Sequence, residues 1–196
     1  FNPALIGRAF LLASWPVFMT KWRWPIHEAS WMPKFDAITT ATPLVLMKYM
    51  NIKAPYANLF FGQVAGCIGE TSALAILLGA AYLIYQGHIS IRIPISFICT
   101  VAVVTALFGQ DPLFHILAGG LLLGAFFMAT DYVTSPVTPR GQIIYGIGCG
   151  VLVALIRLYG GYPEGVCYGI LIMNAATALV ERYTIPRKFG EVKKVA

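Results

Sequence analysis

Apolar positions in this chain gather into long runs separated by short polar breaks. Six runs stand out: Pro3 to Met19, Gly66 to Gln86, Ile93 to Phe108, Leu113 to Thr130, Gln142 to Leu158 and Val166 to Tyr183. None alternates in polarity as a strand with one wet face would. Continuous runs close to the ~20 residues that span a hydrocarbon layer predict membrane helices rather than barrel strands. One stretch breaks the pattern. Residues 20–61 form a loop of roughly 40 residues between two runs, and helix connections of that length are usually functional.

Local signals refine the runs. Asn2 followed by Pro3 predicts a capped helix entry, and Pro16 predicts a kink or an end. Trp15, Trp22 and Trp24 read as an interfacial aromatic belt. Gly109-Gln110-Asp111-Pro112 is a predicted turn, and His115 lies at the start of the fourth run. Gly120-x-x-x-Gly124 predicts close helix packing, and Gly146, Gly148 and Gly150 predict a thin face for a neighbour. Arg157, one turn from a helix end, is expected to reach outward to the interface, and Asn174 to join two helices.

Composition supports the membrane reading. The chain is 58% hydrophobic and only 11% charged, against roughly 25% charged in soluble domains. The net charge of +6 bears on orientation, not on nucleic acid. Arg92, Arg140, Arg182, Arg187, Lys188, Lys193 and Lys194 fall on one side of six alternating helices, whereas loops 109–112 and 159–163 carry no Lys or Arg. The expected division is a transmembrane helix at 1–19, an extracytoplasmic loop at 20–61, a five-helix bundle at 62–183 and a basic cytoplasmic tail at 184–196. Lys21, Arg23, Lys34, Lys48 and Lys53 in the outside loop run against the positive-inside trend. The start at Phe1 reads as the C-terminal part of a longer chain. Cys67, Cys99, Cys149 and Cys167 lie scattered in apolar runs, so small buried thiols are expected rather than disulfides or zinc.

Candidate chemistry centres on Asp36-Ala37-Ile38-Thr39-Thr40-Ala41-Thr42-Pro43-Leu44. Small Ala41 leaves Thr42 open to approach. Pro43 biases Thr42 away from helical backbone and is expected to keep its hydroxyl on an exposed turn. The same residues also read as a threonine-rich cap opening a short helix at Pro43. Glu70, in Gly69-Glu70-Thr71-Ser72, either balances a helix dipole or lines a ligand or cation path. Asp131 either caps the loop after it or lines an ion or ligand site. Trp22, Trp24, Phe35, Tyr49 and Tyr56 are stacking candidates or interfacial anchors.

The Asp36-to-Thr42 passage resembles the flavinylation motif of RnfD, from the Rnf electron-transport complexes, and of its homologue NqrB, from the sodium-pumping NADH:quinone reductase. That motif reads Asp-Gly-x-Ser/Thr-Gly-Ala-Thr; Ala37 and Thr40 stand where it has glycine. Phe1-Asn2-Pro3-Ala4, Gly69-Glu70-Thr71-Ser72, Gly124 to Asp131 and Gly160 to Val166 are similar to the family in the same order, the last more to RnfD. The resemblance implies FMN esterified through its phosphate to Thr42, with Asp36, Thr39, Thr40, Ala41, Glu70 and Thr71 around the flavin. It further implies non-covalent riboflavin among the helices, and an ion path for which Asp131, Glu164 and Glu181 are candidates. The fold implied is all-α, the second half of a ten-helix inverted-repeat bundle, similar to urea transporters. The implied activity is that of a redox subunit in an ion-translocating ferredoxin:NAD+ oxidoreductase of a prokaryotic cytoplasmic membrane. Implied partners are the other Rnf subunits (RnfA, RnfB, RnfC, RnfE and the flavin-bearing RnfG), a flavin transferase and the lipid bilayer. Two other readings stay open: a cofactor-free channel of the urea-transporter kind, and a structural subunit with Thr42 unmodified.

Overall fold

The computed structural model describes residues 1–20, 22, 41–67, 69–161 and 165–186. These residues are helical and connecting, with no strand among them. The helices are α1 (Pro3–Ser14), α2 (Pro16–Met19), α3 (Pro43–Met50), α4 (Tyr56–Phe61), α5 (Ala73–Tyr85), α6 (Arg92–Leu107), α7 (Pro112–Leu117), α8 (Leu121–Leu123), α9 (Pro139–Tyr159) and α10 (Val166–Thr184). A π-turn, Gly124–Met128, continues α8.

Several entries and exits follow the sequence signals. Asn2 Oδ1 accepts from the amides of Ala4 and Leu5 at 3.0 and 3.4 Å, capping α1 ahead of Pro3. Its Nδ2 donates to the Met128 carbonyl at 3.2 Å, seating α1 on the π-turn. Asp111 caps α7 by accepting from Phe114 N at 3.4 Å, and Thr138 caps α9.

The centre is the contact between α6 and α9, the most extensive among the described residues. A Cβ on Gly146 would lie 1.9 Å from Ser96 Oγ, and one on Gly150 would lie 2.6 Å from Thr100 Cβ. Gly148 faces Met173 of α10 in the same manner. Gly146 and Gly150 thus admit α6 on one side of α9, and Gly148 admits α10 on another. Tyr145 donates to Asn174 Oδ1 at 2.6 Å, so Asn174 does bridge α9 and α10. The buried positions Gly141, Tyr145, Cys149, Val153 and Arg157 recur every four residues along α9. Ile143, Ile147, Val151 and Leu155 recur with the same spacing on its outer face, which is exposed and apolar. An outer stripe of that kind suits lipid or neighbouring helices. Among the described residues α9 alone is long and apolar enough to cross a membrane by itself; α5 and α6 have 13 and 16 residues.

Three expectations need correction. The fourth run is not one helix. It breaks after Leu117, and Gly119 and Gly120 both take positive φ, 70° and 63°. Gly120 thus serves the break rather than a packing stripe, while Gly124 does pack closely: its Cβ would be 2.3 Å from Val166 Cγ1. The first run divides at Trp15 as expected, because Pro16 lacks the amide that would continue α1. The stretch 20–61 contains α3 and α4, whose apolar sides join a core with Phe114 and Ala118. Cys99 is exposed on α6 rather than buried, whereas Cys149 and Cys167 are buried.

Candidate functional site

Thr42 is the N-cap of α3, with extended backbone (φ −66°, ψ 156°) and Pro43 at the first helical position. Its carbonyl accepts the first helical bond, from Leu46 N at 3.0 Å. A threonine there ordinarily turns its hydroxyl onto an amide of the first turn. This one does not: Oγ1 is buried and has no hydrogen-bond partner. The residue is 3% exposed, so its hydroxyl is not on an open turn as the sequence suggested. The cause lies in α3 itself. Leu44, Leu46 and Met47 are buried on one side and draw the start of the helix against the break in the fourth run. Leu44 fills the space beside Gly119, where a Cβ would lie only 2.0 Å from Leu44 Cδ1.

A small cleft opens beside this hydroxyl, lined by Thr42, Gly66, Glu70, Thr71, Leu117 and Gly119 among others. It has room for about one water molecule. Glu70 is 9% exposed, and its Oε2 lies 3.6 Å from Arg8 Nη2 of α1. The same oxygen packs against the break, 2.7 Å from where a Gly120 Cβ would stand. Glu70 precedes the start of α5, where Ser72 is the cap, accepting from Ala75 N at 3.3 Å.

The break is held by Arg157, which does not reach outward as expected. It is 2% exposed and donates to the carbonyls of His115, Ala118 (3.0 Å) and Gly119 (3.1 Å). Those carbonyls lose helical partners where the run breaks, and the planar guanidinium supplies several donors at once. Neither ring nitrogen of His115 has a hydrogen-bond partner, although the residue is 5% exposed. Lys48 closes the circuit from α3, donating to the carbonyls of Arg157 (2.9 Å) and Gly160 (2.5 Å) at the end of α9. Burial pushes its ammonium below the usual lysine range.

The structure brings together Thr42, Glu70 and Thr71 of the predicted set, with Ala41 half-buried beside them. Asp36, Thr39, Thr40 and Glu164 lie outside the described residues, as do Trp24 and Phe35. Asp131 stands in another cluster. It accepts from the Thr134 side-chain hydroxyl at 3.0 Å, a contact within the loop that follows it. Glu181 accepts from Val137 N at 3.0 Å. Tyr49 donates to the Gly161 carbonyl at 3.3 Å, and Tyr56 to Asp111. Sequence reasoning missed Arg8, His115 and Arg157 as parts of this centre, and gave Lys48 only as one of several loop cations that could offset a phosphate. The adjacent glycines at 119 and 120 were the available signal, because a break there demands donors from elsewhere.

The sequence matches the model of the NQR2, RnfD, RnfE family over residues 1–190. The chain belongs to that family. It is 55% identical, over 98% of its length and 59% of the relative, to the D subunit of the Na+-translocating ferredoxin:NAD+ oxidoreductase complex of Acetobacterium woodii. It is 50% identical, over 97% of its length and 61% of the relative, to the D subunit of the proton-translocating ferredoxin:NAD+ oxidoreductase complex of Clostridium ljungdahlii. With the D subunit of the ion-translocating oxidoreductase complex of Stutzerimonas stutzeri it shares 37% identity over 97% of its length and 63% of the relative. The chain thus spans 59 to 63% of the length of these family members.

Proposed function

We propose that this chain is part of a membrane redox subunit of an ion-translocating ferredoxin:NAD+ oxidoreductase, with FMN joined to Thr42 through a phosphoester. The observation that carries the reading is the Thr42 hydroxyl. It is buried, without a partner, and not used to cap its own helix, although it stands where a capping threonine belongs. An orphaned hydroxyl costs about 1–3 kcal/mol. An ester oxygen has no proton to satisfy, so esterification removes the unmade donor.

The described residues supply an attachment atom and its surroundings. The cleft is far too small for an isoalloxazine ring, which leaves the ring outside it. Esterification therefore needs the first turn of α3 to lift from the break, or to be modified before it packs there. Lys48 and Tyr49 then fix α3 to the end of α9. The flavin, when bound, supplies the electron-transfer chemistry; the protein positions it and shapes its field. A covalent tether keeps a carrier at high effective concentration in a wall it would otherwise leave. The flavin-bearing RnfG and the other Rnf subunits are the proposed electron partners, a flavin transferase the modifying enzyme, and riboflavin a further, non-covalent flavin. The proposed setting is the cytoplasmic membrane with the Thr42 side outward. Relatives named for sodium and for protons leave both ions in play.

The broken fourth run favours a second reading, a cofactor-free channel, because discontinuous helices often mark transport sites. Peptide mass spectrometry of the chain made together with its flavin transferase separates the two. The expected result is the mass of FMN less one water on the peptide holding Thr42, lost in Thr42→Ala. An unmodified Thr42 in such cells sinks the flavin reading and promotes the channel.

A further inference from the structure

We propose that the outer face of α9 seats an anionic phospholipid, with its phosphate at Arg140 between Arg92 and Arg182 and its acyl chains lying along the helix. The redox function proposed above is not needed for it. Three helix ends are stitched together here: the starts of α6 and α9 and the end of α10. Ser90 Oγ donates to Gln142 Oε1 at 2.9 Å, and the Thr138 and Thr184 hydroxyls bond to each other at 2.6 Å. Val137 N, just before α9, donates to Glu181 Oε1 at 3.0 Å. Each of these ends carries an exposed arginine: Arg92, Arg140 and Arg182. Among the described residues none of the three is ion-paired.

What lies beneath the arginines selects a lipid over a free anion. Arg140 heads the exposed face of α9, and Ile143, Ile147, Val151 and Leu155 follow it at the spacing of a single helix face. These four are 37–44% exposed. α6 repeats the arrangement, with Arg92 followed by Ile95, Cys99, Val103 and Leu107, all exposed. So does α10 in reverse, with Arg182 preceded by Leu179, Ala175 and Ile172. A free phosphate would use the arginines alone. A phosphate carrying acyl chains uses the arginines and the stripes together. The level of the headgroups is marked independently. Tyr85, Tyr132 and Tyr183 stand exposed at this same end, and tyrosine collects where hydrocarbon meets headgroup.

Charge selects the headgroup. Against the three guanidiniums, the described residues at this end set two carboxylates, Asp131 and Glu181. Both are turned to the loop before α9, where they accept from Thr134 and Val137. The surplus is positive, and the start of a 21-residue helix adds to it. A singly charged phosphodiester such as phosphatidylglycerol balances that surplus, whereas phosphatidylcholine brings a cation of its own. Guanidinium suits the task because its planar fork meets two phosphate oxygens at once, and clustered basic residues at a membrane surface attract anionic lipid. Because α9 packs against α6 and α10 on its other sides, a lipid here ties the three helix ends together.

The test titrates the full-length protein, in a neutral detergent stripped of lipid, with dioleoyl phosphatidylglycerol, dioleoyl phosphatidylcholine or glycerol phosphate, and follows thermal unfolding. Phosphatidylglycerol is expected to raise the midpoint saturably, as binding to the folded state requires, and the other two to do little. Arg140→Gln is expected to weaken the apparent affinity about tenfold, and Arg92→Gln and Arg182→Gln about threefold each. All three side chains are exposed, so these variants change binding rather than folding. Two controls are expected to keep the response: Lys53→Gln, at the opposite end beside Asp111, and a chain ending at Pro186 without the basic residues Arg187, Lys188, Lys193 and Lys194. A midpoint indifferent to phosphatidylglycerol overturns the site and leaves the face to a neighbouring helix. An equal response to phosphatidylcholine or glycerol phosphate, an undiminished response in Arg140→Gln, or a response lost with the tail also overturns it. None of these readouts depends on whether Thr42 carries FMN.

Discussion

Lys48 Nζ donates to the backbone carbonyl of Arg157 at 2.9 Å, while the Arg157 side chain donates to three carbonyls around the break. One residue of α9 thus joins the helix that Thr42 opens to the irregular backbone of the fourth run. Leu44 reinforces the link from the same helix by filling the space at Gly119. The start of α3 and the break cannot move far without each other.

Arg157 is expected to be more sensitive than its place near a helix end implies. Arg157→Met leaves the carbonyls of His115, Ala118 and Gly119 without their donor in an apolar setting. Each buried unmade acceptor costs about 1–3 kcal/mol, so a loss of about 3 kcal/mol or more is expected. Arg157→Lys should recover only part of it, because an ammonium cannot span three carbonyls as a planar fork does. Denaturant or thermal unfolding in nanodiscs reads both variants. A surface-like loss below about 0.5 kcal/mol in Arg157→Met would contradict the arrangement.

Thr42→Val should leave the unmodified chain as stable or more stable, by up to about 1–3 kcal/mol, because it removes an orphaned hydroxyl at nearly constant shape. A capping threonine would behave oppositely, losing about 1 kcal/mol on truncation. The sign of the change in unfolding free energy, measured on flavin-free protein, distinguishes these roles.

Acid sensitivity should appear at the turn that opens α7. The Tyr56 hydroxyl donates to Asp111, and with the Phe114 amide and Lys53 at 3.8 Å it holds that carboxyl below the usual range. A depressed folded-state value means the contribution is present above the ordinary aspartate range. It is lost as pH falls through the folded value. Tyr56→Phe should bring the Asp111 titration up toward normal, shifting local acid unfolding to higher pH. Carboxyl-labelled NMR titration of Asp111 in both proteins checks it; identical curves would remove Tyr56 as the main cause.

Gly150→Ala should cost about 1–3 kcal/mol, as overpacking does. Its Cβ would lie 2.6 Å from Thr100 Cβ and 2.9 Å from the Phe97 carbonyl, and backbone gives way poorly. Gly161→Ala, with nothing within 4 Å, is the matched control and should change little. Equal unfolding midpoints for the two variants would mean that α6 and α9 are not closely apposed.

Much of the scaffold is legible in the sequence because its signals are local. Asn2-Pro3, Asp111-Pro112 and the alternate glycines of α9 each declare a cap or a thin face through adjacent residues. The break is not legible in that way, because the run from Leu113 to Thr130 stays apolar across it and a hydropathy pattern is blind to backbone direction. Gly119-Gly120 carries the information, but Gly120 also fits a small-residue packing pattern with Gly124. Arg157 misleads for a related reason: its partners are main-chain carbonyls that become available only once the break exists. Thr42 reads as an open-turn residue because the passage before it is polar. The spacing of Leu44, Leu46 and Met47 is the sign that a short helix pulls its hydroxyl inside.

The fit of α9 against α6 also makes that pair a rigid unit. Ser96 and Thr100 sit in notches left by Gly146 and Gly150, so lengthwise sliding of α9 would drive side chains into backbone within a fraction of a turn. The pair is a frame. Any working stroke in this region must then be taken up by α7, by the short α8 segment and by the first turn of α3, hinged at two glycines and latched to the frame through one guanidinium.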